Sequence, residues 1–100
     1  VDEVCEGSLG MISEAIRLLD RTTTPEVGDA ALISSIQHIH HYDIAGYGTL
    51  SAYARALGFD EWARLLHDML DEEKDLDIEL KELAVNVINQ RALKVSERVA

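Results

Sequence analysis

The sequence predicts an all-α fold, made of a short helix followed by a long antiparallel helical hairpin. The 100 residues include one proline and six glycines, too few for the many turns of a sandwich or barrel. Hydrophobic residues make up 47% of the chain and recur at helical spacing through most of it. A chain of this length forms at most one domain, so residues 1–100 are expected to be a single helical domain.

The first helix is expected over about residues 2–21, where apolar side chains recur every three or four positions. Gly7 and Gly10 weaken its beginning, because glycine is a poor helix former. Threonines at positions 22–24 then interrupt the pattern. Thr23 and Glu26 have the spacing of a capping box, and Pro25 suits the first turn of a second helix.

The second helix is expected over about residues 24–57 and stops at Gly58, which is placed to adopt the left-handed conformation after a helix end. Asp60 is the expected N-cap of a third helix over about residues 60–91. Beyond Arg91 the chain is polar and is expected to fray. Because the connector is so short, the second and third helices are expected to form an antiparallel hairpin.

The charge balance restricts the kinds of molecule that the protein can bind. Nine basic residues against nineteen acidic ones give a net charge of −10, which repels nucleic acid and anionic membrane surfaces. The sequence has neither a signal-peptide pattern nor a long apolar run, so a cytoplasmic protein is expected. The single cysteine, Cys5, has no disulfide partner and no nearby base, and it is expected to be inert.

Polar residues interrupt the apolar stripe of each long helix. On the third helix the heptad spacing selects Trp62, Leu66, Met69, Glu73, Leu76, Leu80, Leu83 and Val87. On the second helix it selects Ile33, Ile36, His40, Asp43, Tyr47, Leu50, Ala54 and Leu57. In a hairpin centred near Phe59, Asp43 is expected level with Asp77, His40 with Glu79, and Glu73 with Gly46. Gly46 and Gly48 are expected to let the two helices approach closely at that level.

Two interpretations of these polar residues remain open. In the first, four side chains converge within about one helical turn and bind iron or manganese, as carboxylates and imidazoles do inside helical bundles. The expected ligands are His40, Asp43, Glu73 and Asp77. In the second, the residues form a metal-free polar cluster, in which Asp43 bonds Tyr47 or His40 and Glu73 reaches Lys74 or water. His38 and His67 are expected in solvent, and His41 fits either interpretation. No phosphate-binding loop and no nucleophile with a base at suitable spacing is present, so a hydrolase or transferase is not expected.

Three segments of the sequence resemble the YciE/YciF family of ferritin-like proteins: PEVGDAALI at 25–33, HHYDIAGYGTL at 40–50 and LLHDMLDEEKDLDIEL at 65–80. The resemblance implies a four-helix ferritin-like bundle with a carboxylate-rich metal site, dimeric assembly and a bacterial stress-linked role. Two departures stand out. The family usually has glutamate where this chain has His40 and Asp43, and its members begin with two further long helices, so the chain resembles their C-terminal portion.

The sequence as a whole therefore predicts a ferritin-like, stress-associated helical domain with a divalent-metal site. It is expected to be non-enzymatic or to have at most weak metal-dependent redox activity. Because half a bundle leaves an apolar face exposed, the domain is expected to complete its bundle as a homodimer or larger homo-oligomer. A metal-free structural or protein-interaction module is the alternative. A third possibility is a fragment of a longer protein that supplies the missing helices.

Overall fold

A computed structural model describes residues 5–99 of the chain. Helix α1 spans Glu6–Arg21, α2 spans Pro25–Ala56 and α3 spans Asp60–Leu83, which continues through a π-helical turn at Ala84–Ile88 into α4 at Asn89–Val99. The described residues form helices and no strand, which confirms the all-α prediction. The predicted start of the first helix at residue 2 lies outside the described residues.

Two helix beginnings lie one residue from their predicted positions. The N-cap of α2 is Thr24 rather than Thr23, and its hydroxyl oxygen accepts a hydrogen bond of 3.3 Å from the backbone N–H of Val27. Thr24 is extended, with φ −128° and ψ 148°, because a residue that precedes proline is disfavoured in the helical region. Asp60 likewise lies inside α3, and Phe59 occupies its N-cap position.

The turn between α2 and α3 has the predicted glycine conformation. Gly58 adopts φ +83°, in the left-handed region that glycine enters without a steric cost. The N–H of Phe59 donates to the carbonyl of Ala54 at 2.8 Å, and the N–H of Gly58 donates to the carbonyl of Arg55 at 3.1 Å. This is the Schellman pattern of a helix end. It reverses the chain within three residues and makes α2 and α3 an antiparallel hairpin.

The helices lie side by side in one layer, with α2 in the middle. Within residues 5–99, α2 contacts α1, α3 and α4, whereas α1 and α3 make no contact with each other. The molecule measures 58 × 31 × 13 Å along its principal axes. Its radius of gyration is 17.3 Å, compared with about 13 Å for a compact domain of this length. A single layer leaves both broad sides of the hairpin uncovered.

The interface between α2 and α3 is built from small side chains. Ala54 and Ala63 are 7% and 2% exposed, and the hydroxyl of Ser51 donates to the carbonyl of Ala63 at 3.0 Å. Leu70 is the large side chain that is most buried on α3, at 7% exposure. Small residues let two helices approach closely. The two helices therefore face each other through these small side chains, although the apolar stripes contain larger ones.

Only part of the predicted stripe of the third helix faces α2. Trp62 is 66% exposed and Leu76 is 46% exposed, and Met69 and Leu83 are also exposed. The residues that face α2 are Ala63, Leu66, Leu70, Glu73, Asp77, Leu80 and Ala84. Leu66, Glu73 and Leu80 therefore lie on this side as predicted, whereas the other four lie one position further along the chain than the predicted residues.

The end of the chain also differs from the prediction. Instead of fraying after Arg91, the helix continues to Val99. The half-buried positions after Ala84 are 87, 88, 92 and 95. Ala92 and Val95 lie on α4, which contacts α2. None of the described helices is both long and apolar enough to cross a membrane.

Candidate functional site

The centre of the candidate site is a contact between His40 on α2 and Glu73 on α3. The Nδ1 atom of His40 contacts Oε2 of Glu73, and the two side chains are 18% and 21% exposed. The predicted level of these residues was wrong by six residues, nearly two helical turns, since His40 was expected opposite Glu79 and Glu73 opposite Gly46. The error arises because the Schellman turn reverses the chain before Phe59 rather than around it.

Asp77 forms a second and separate group one turn further along α3. Its Oδ2 atom lies 2.8 Å from Nε2 of His41, and its Oδ1 atom accepts a hydrogen bond of 3.5 Å from the side-chain amide of Gln37. The side chain of His41 is 64% exposed. The structure thus pairs Asp77 with His41 and does not bring it to the His40–Glu73 contact.

Asp43 is half-buried on α2, three residues after His40. Within residues 5–99 its carboxylate has no hydrogen-bonded or ionic partner, so the predicted bond to Tyr47 or His40 is not formed. Glu73 reaches His40 rather than Lys74. No three His, Cys, Asp or Glu side chains of the described part are arranged to hold a metal ion together. The described part of the chain therefore brings together one imidazole and one carboxylate, and Asp43 lies three residues after His40 on α2.

These residues lie on an apolar side of the hairpin. His40 is one turn from Ile36 and Asp43, and Glu73 is one turn from Met69 and Leu76. Because His40 contacts Glu73, the apolar stripes of the two helices open on the same side. We call this side the apolar face and define it by Leu32, Ile36, Ile39, Leu50, Tyr53 and Leu57 on α2 and by Trp62, Leu65, Met69, Leu76 and Leu83 on α3.

The two glycines near the site do not have the role expected from the sequence. A Cβ atom placed on Gly46 would meet nothing within 4 Å, and one placed on Gly48 would lie 3.9 Å from Leu70, an ordinary contact. Neither position is therefore required for the approach of α2 to α3. Gly46 instead continues the spacing of the apolar face, between Asp43 and Leu50.

The other two histidines lie outside this site. His67 is on the surface, as predicted, and its Nε2 atom lies 3.6 Å from the carboxylate of Asp71, one turn along the same helix. His38 is also exposed, and it lines a mainly apolar groove between α1 and α2 together with Met11 and Leu18.

The thiol of Cys5 has two hydroxyl groups beside it, which the sequence did not predict. Its Sγ atom lies 3.2 Å from the hydroxyl oxygen of Ser8 and 3.4 Å from that of Tyr42. These hydrogen bonds, that with Ser8 first, lower the pKa of Cys5 from 9.0 to about 7. Gly7 allows the approach of Tyr42, since a Cβ atom there would lie 2.8 Å from the tyrosine ring. A sequence reading that looked only for basic neighbours could not find this environment.

The described residues thus form an all-α protein built on a long antiparallel hairpin, with a His–carboxylate contact between its two helices. A family model for DUF892, a domain of unknown function, matches residues 1–93. The chain is 46% identical over 88 residues to protein YciF of Escherichia coli strain K12. The crystal structure of the E. coli stress protein YciF matches the chain with a TM-score of 0.82 at 44% identity, over 89% of this chain.

The chain therefore belongs to the DUF892 family, which confirms the resemblance found in the sequence. It spans 53% of the length of YciF and 56% of the chain in the YciF crystal structure. About half of the relative's length thus has no counterpart in these 100 residues.

Proposed function

We propose that the chain is a stress-associated ferritin-like module that binds a divalent iron or manganese ion at His40, Glu73 and Asp43. The observation that carries this proposal is the contact between His40 and Glu73, which joins an imidazole and a carboxylate from two different helices. Nitrogen and carboxylate oxygen donors from facing helices suit such ions in helical bundles. The stress association comes from the relation to YciF, whose crystal structure is described as that of a stress protein.

The donor atoms are of the kind that such an ion binds, but there are fewer of them than the ion needs. His40 and Glu73 supply two ligands, and Asp43 lies three residues from His40 on the same apolar face. Asp43 is half-buried and its carboxylate has no hydrogen-bonded partner among the described residues, so it is available to a cation. A bound iron or manganese ion would supply one-electron redox chemistry. The protein's own contribution is to position the three side chains and to limit their contact with water.

A metal-free polar cluster is the second candidate, and it also has a specific observation in its favour. His40 and Glu73 already satisfy each other, and no buried side-chain nitrogen or oxygen of the described residues lacks a hydrogen-bond partner. In that case the pair would hold the helices in register without an ion. Such pairs can often be replaced by apolar side chains at no cost in stability.

Thermal unfolding with manganese, with iron(II) and with a chelator separates the two candidates. A ligand that binds only the folded state stabilises it by about 2.7 kcal/mol at 100 times its Kd. Since 1 kcal/mol shifts the Tm of a domain of this size by about 4–8 °C, the melting temperature should rise by about 10 °C or more. The variant Glu73→Gln should lose this gain. Glu82→Gln, which makes the same chemical change at an exposed position of α3, should keep it.

The same experiment can also support the metal-free cluster. A wild type that melts at the same temperature with every metal and with chelator, together with a Glu73→Leu variant that melts higher, would establish the metal-free cluster. The pH supplies a further check on binding, because an imidazole must be free of its second proton to bind a metal. The gain from manganese should therefore shrink as the pH falls below neutrality.

A further inference from the structure

The polar contacts between α2 and α3 form two groups on neighbouring turns, and the proposed function uses only the first. That first group is the contact of His40 with Glu73. The second group joins Gln37 and His41 on α2 to Asp77 on α3. We call these three residues the Asp77 clamp. The question is what the clamp contributes to the site beside it.

Both oxygens of the Asp77 carboxylate are engaged by α2. Its Oδ2 atom lies 2.8 Å from Nε2 of His41, and its Oδ1 atom accepts from the side-chain amide of Gln37 at 3.5 Å. Gln37 and His41 are four residues apart, so they lie one above the other on the same side of α2. The side chain of Asp77 is only 17% exposed. This one carboxylate therefore ties α3 to two successive turns of α2.

The two groups approach α3 from different directions. His40 and His41 are consecutive residues, so their side chains leave α2 about 100° apart. Glu73 and Asp77 are four residues apart and lie along one side of α3. A rotation of α2 about its own axis that brings one histidine nearer to its carboxylate moves the other histidine away. The two contacts together therefore fix the rotation and the register of α2 on α3, which neither contact fixes alone.

The packing of the helices near the site leaves this task to the polar contacts. Close to the turn, α2 and α3 meet through the buried side chains of Ala54 and Ala63. Between that region and His40, α2 contains Gly46 and Gly48, and a Cβ atom placed on Gly46 would meet nothing within 4 Å. Glycine stabilises a helix less than any residue except proline. The register that is set near the turn thus reaches His40 through a weak stretch of helix.

We propose that the Asp77 clamp positions His40 against Glu73, so that Asp77 acts on the candidate site through the helices. This role replaces the one predicted from the sequence, in which Asp77 was a metal ligand. The benefit to a bound ion rests on the proposed function, because a donor pair that is already held together loses less freedom when it binds. The positioning itself requires no ion.

Long-range proton–nitrogen NMR spectra of the chain in chelator, with nitrogen-15 in its histidine rings, test the positioning. They show which ring nitrogen carries hydrogen. In the contact with Glu73 it is Nδ1 of His40, because an ionised carboxylate only accepts hydrogen bonds. The His40→Gln variant identifies the signals of His40. Asp77→Leu should lose the Nδ1 hydrogen signal of His40, although Asp77 contacts His41 and Gln37 and not His40.

Asp71→Leu is the matched control for this variant. It removes the same charge from α3 and also takes a carboxylate from a histidine, since Asp71 lies 3.6 Å from Nε2 of His67. That pair lies within one helix and joins nothing across the hairpin. The Nδ1 signal of His40 should therefore be unchanged in Asp71→Leu. Equal losses in Asp71→Leu and Asp77→Leu would overturn the proposal.

Two further variants separate the contact from the charge and from the overall fold. Asp77→Asn has no charge but keeps an oxygen that accepts from His41, so it should retain the His40 signal. If it loses the signal as completely as Asp77→Leu, the proposal is wrong. His41→Ala breaks the clamp from the other helix and serves if far-UV circular dichroism shows that Asp77→Leu unfolds. A His40 signal that survives in His41→Ala and in a folded Asp77→Leu would overturn the proposal as well.

Manganese titration connects the positioning to the proposed function. Residues that orient metal ligands contribute about 10–100-fold to metal affinity, and the clamp acts indirectly, so Asp77→Leu should raise the Kd for manganese about tenfold. Asp71→Leu should leave this Kd unchanged. A wild type that binds no manganese would end the metal proposal, whereas the spectra in chelator decide the positioning of His40 by themselves. The two proposals can therefore fail separately.

Discussion

Replacing Ser51 with alanine tests the close packing of α2 on α3. The hydroxyl of Ser51 is buried, at 4% exposure of the residue, and donates across the interface to the carbonyl of Ala63 at 3.0 Å. Ser96 provides a matched control, because its hydroxyl donates to the carbonyl of Ala92 at the same distance. That second bond is exposed and joins two residues of the same helix, so it does not connect two helices.

The magnitude follows from what each change removes and gains. Ser51→Ala removes a hydrogen bond between helices, whose net contribution is about 0.5–1.5 kcal/mol. Alanine favours a helix over serine by about 0.5 kcal/mol, so this gain offsets part of the loss. Ser96→Ala has the same gain in helix propensity. The side-chain hydrogen bond that it removes competes with the backbone hydrogen bonds of the helix rather than supporting them. The two variants should therefore differ by about 1 kcal/mol, with Ser51→Ala the less stable.

Urea unfolding followed by far-UV circular dichroism, at one protein concentration, measures this difference. The Ser51→Ala midpoint should lie below that of the wild type and the Ser96→Ala midpoint at or above it, with unchanged slopes. In thermal unfolding the gap between the variants should be about 4–8 °C. Equal shifts for both variants would refute the close contact of α2 with α3 at Ala63, because the position of the serine would then make no difference.

Three further predictions concern other parts of the chain. Gly58→Ala should lower the unfolding free energy by about 1 kcal/mol, because alanine is strained at φ +83°; an unchanged melting curve would contradict the left-handed turn. Tyr42→Phe removes one of the hydrogen bonds that lower the pKa of Cys5 to about 7, so alkylation at pH 7 should slow and its pH profile should move upward; an identical profile would contradict the contact. Leu70→Ala should cost about 2–5 kcal/mol in urea unfolding, since Leu70 is 7% exposed, whereas a cost below 1 kcal/mol would place Leu70 outside the core.

Local signals in the sequence account for the elements of the fold. Proline restricts the backbone and glycine can adopt the left-handed conformation, and both effects act within a few residues. The beginning of α2 at Pro25 and its end before Gly58 could therefore be predicted closely. The short connector then requires an antiparallel hairpin. The π-helical turn at Ala84–Ile88 has no comparable signal in the sequence.

The facing sides of the helices could not be predicted from apolar spacing alone. Large apolar residues such as Trp62 and Leu76 suggested the side of α3 that meets α2, but the close approach is made through Ala63, against Ala54 of the predicted α2 stripe. Apolar spacing shows which side of a helix avoids water and not which neighbour covers it. Where one helix has two packing surfaces, a prediction that assumes a single surface therefore fails.

The same distinction applies to the candidate site. Heptad spacing correctly grouped His40 with Asp43 on one side of α2 and singled out Glu73 on α3. Which of these side chains meet is decided by the register of the hairpin, and a shift of one turn changes every pair. The sequence therefore identified His40 and Glu73 as candidates, and the structure shows that they contact each other while Asp77 pairs with His41.

Anomalous diffraction from crystals of the chain grown with manganese tests the central proposal most directly, because it locates the metal without depending on stability. The proposal predicts an anomalous peak between Nδ1 of His40 and the carboxylate of Glu73, with the carboxylate of Asp43 turned toward it. The Glu73→Gln variant should lack this peak under the same conditions. A wild-type map with no peak at this position, in which His40 remains bonded to Glu73, would contradict the proposal.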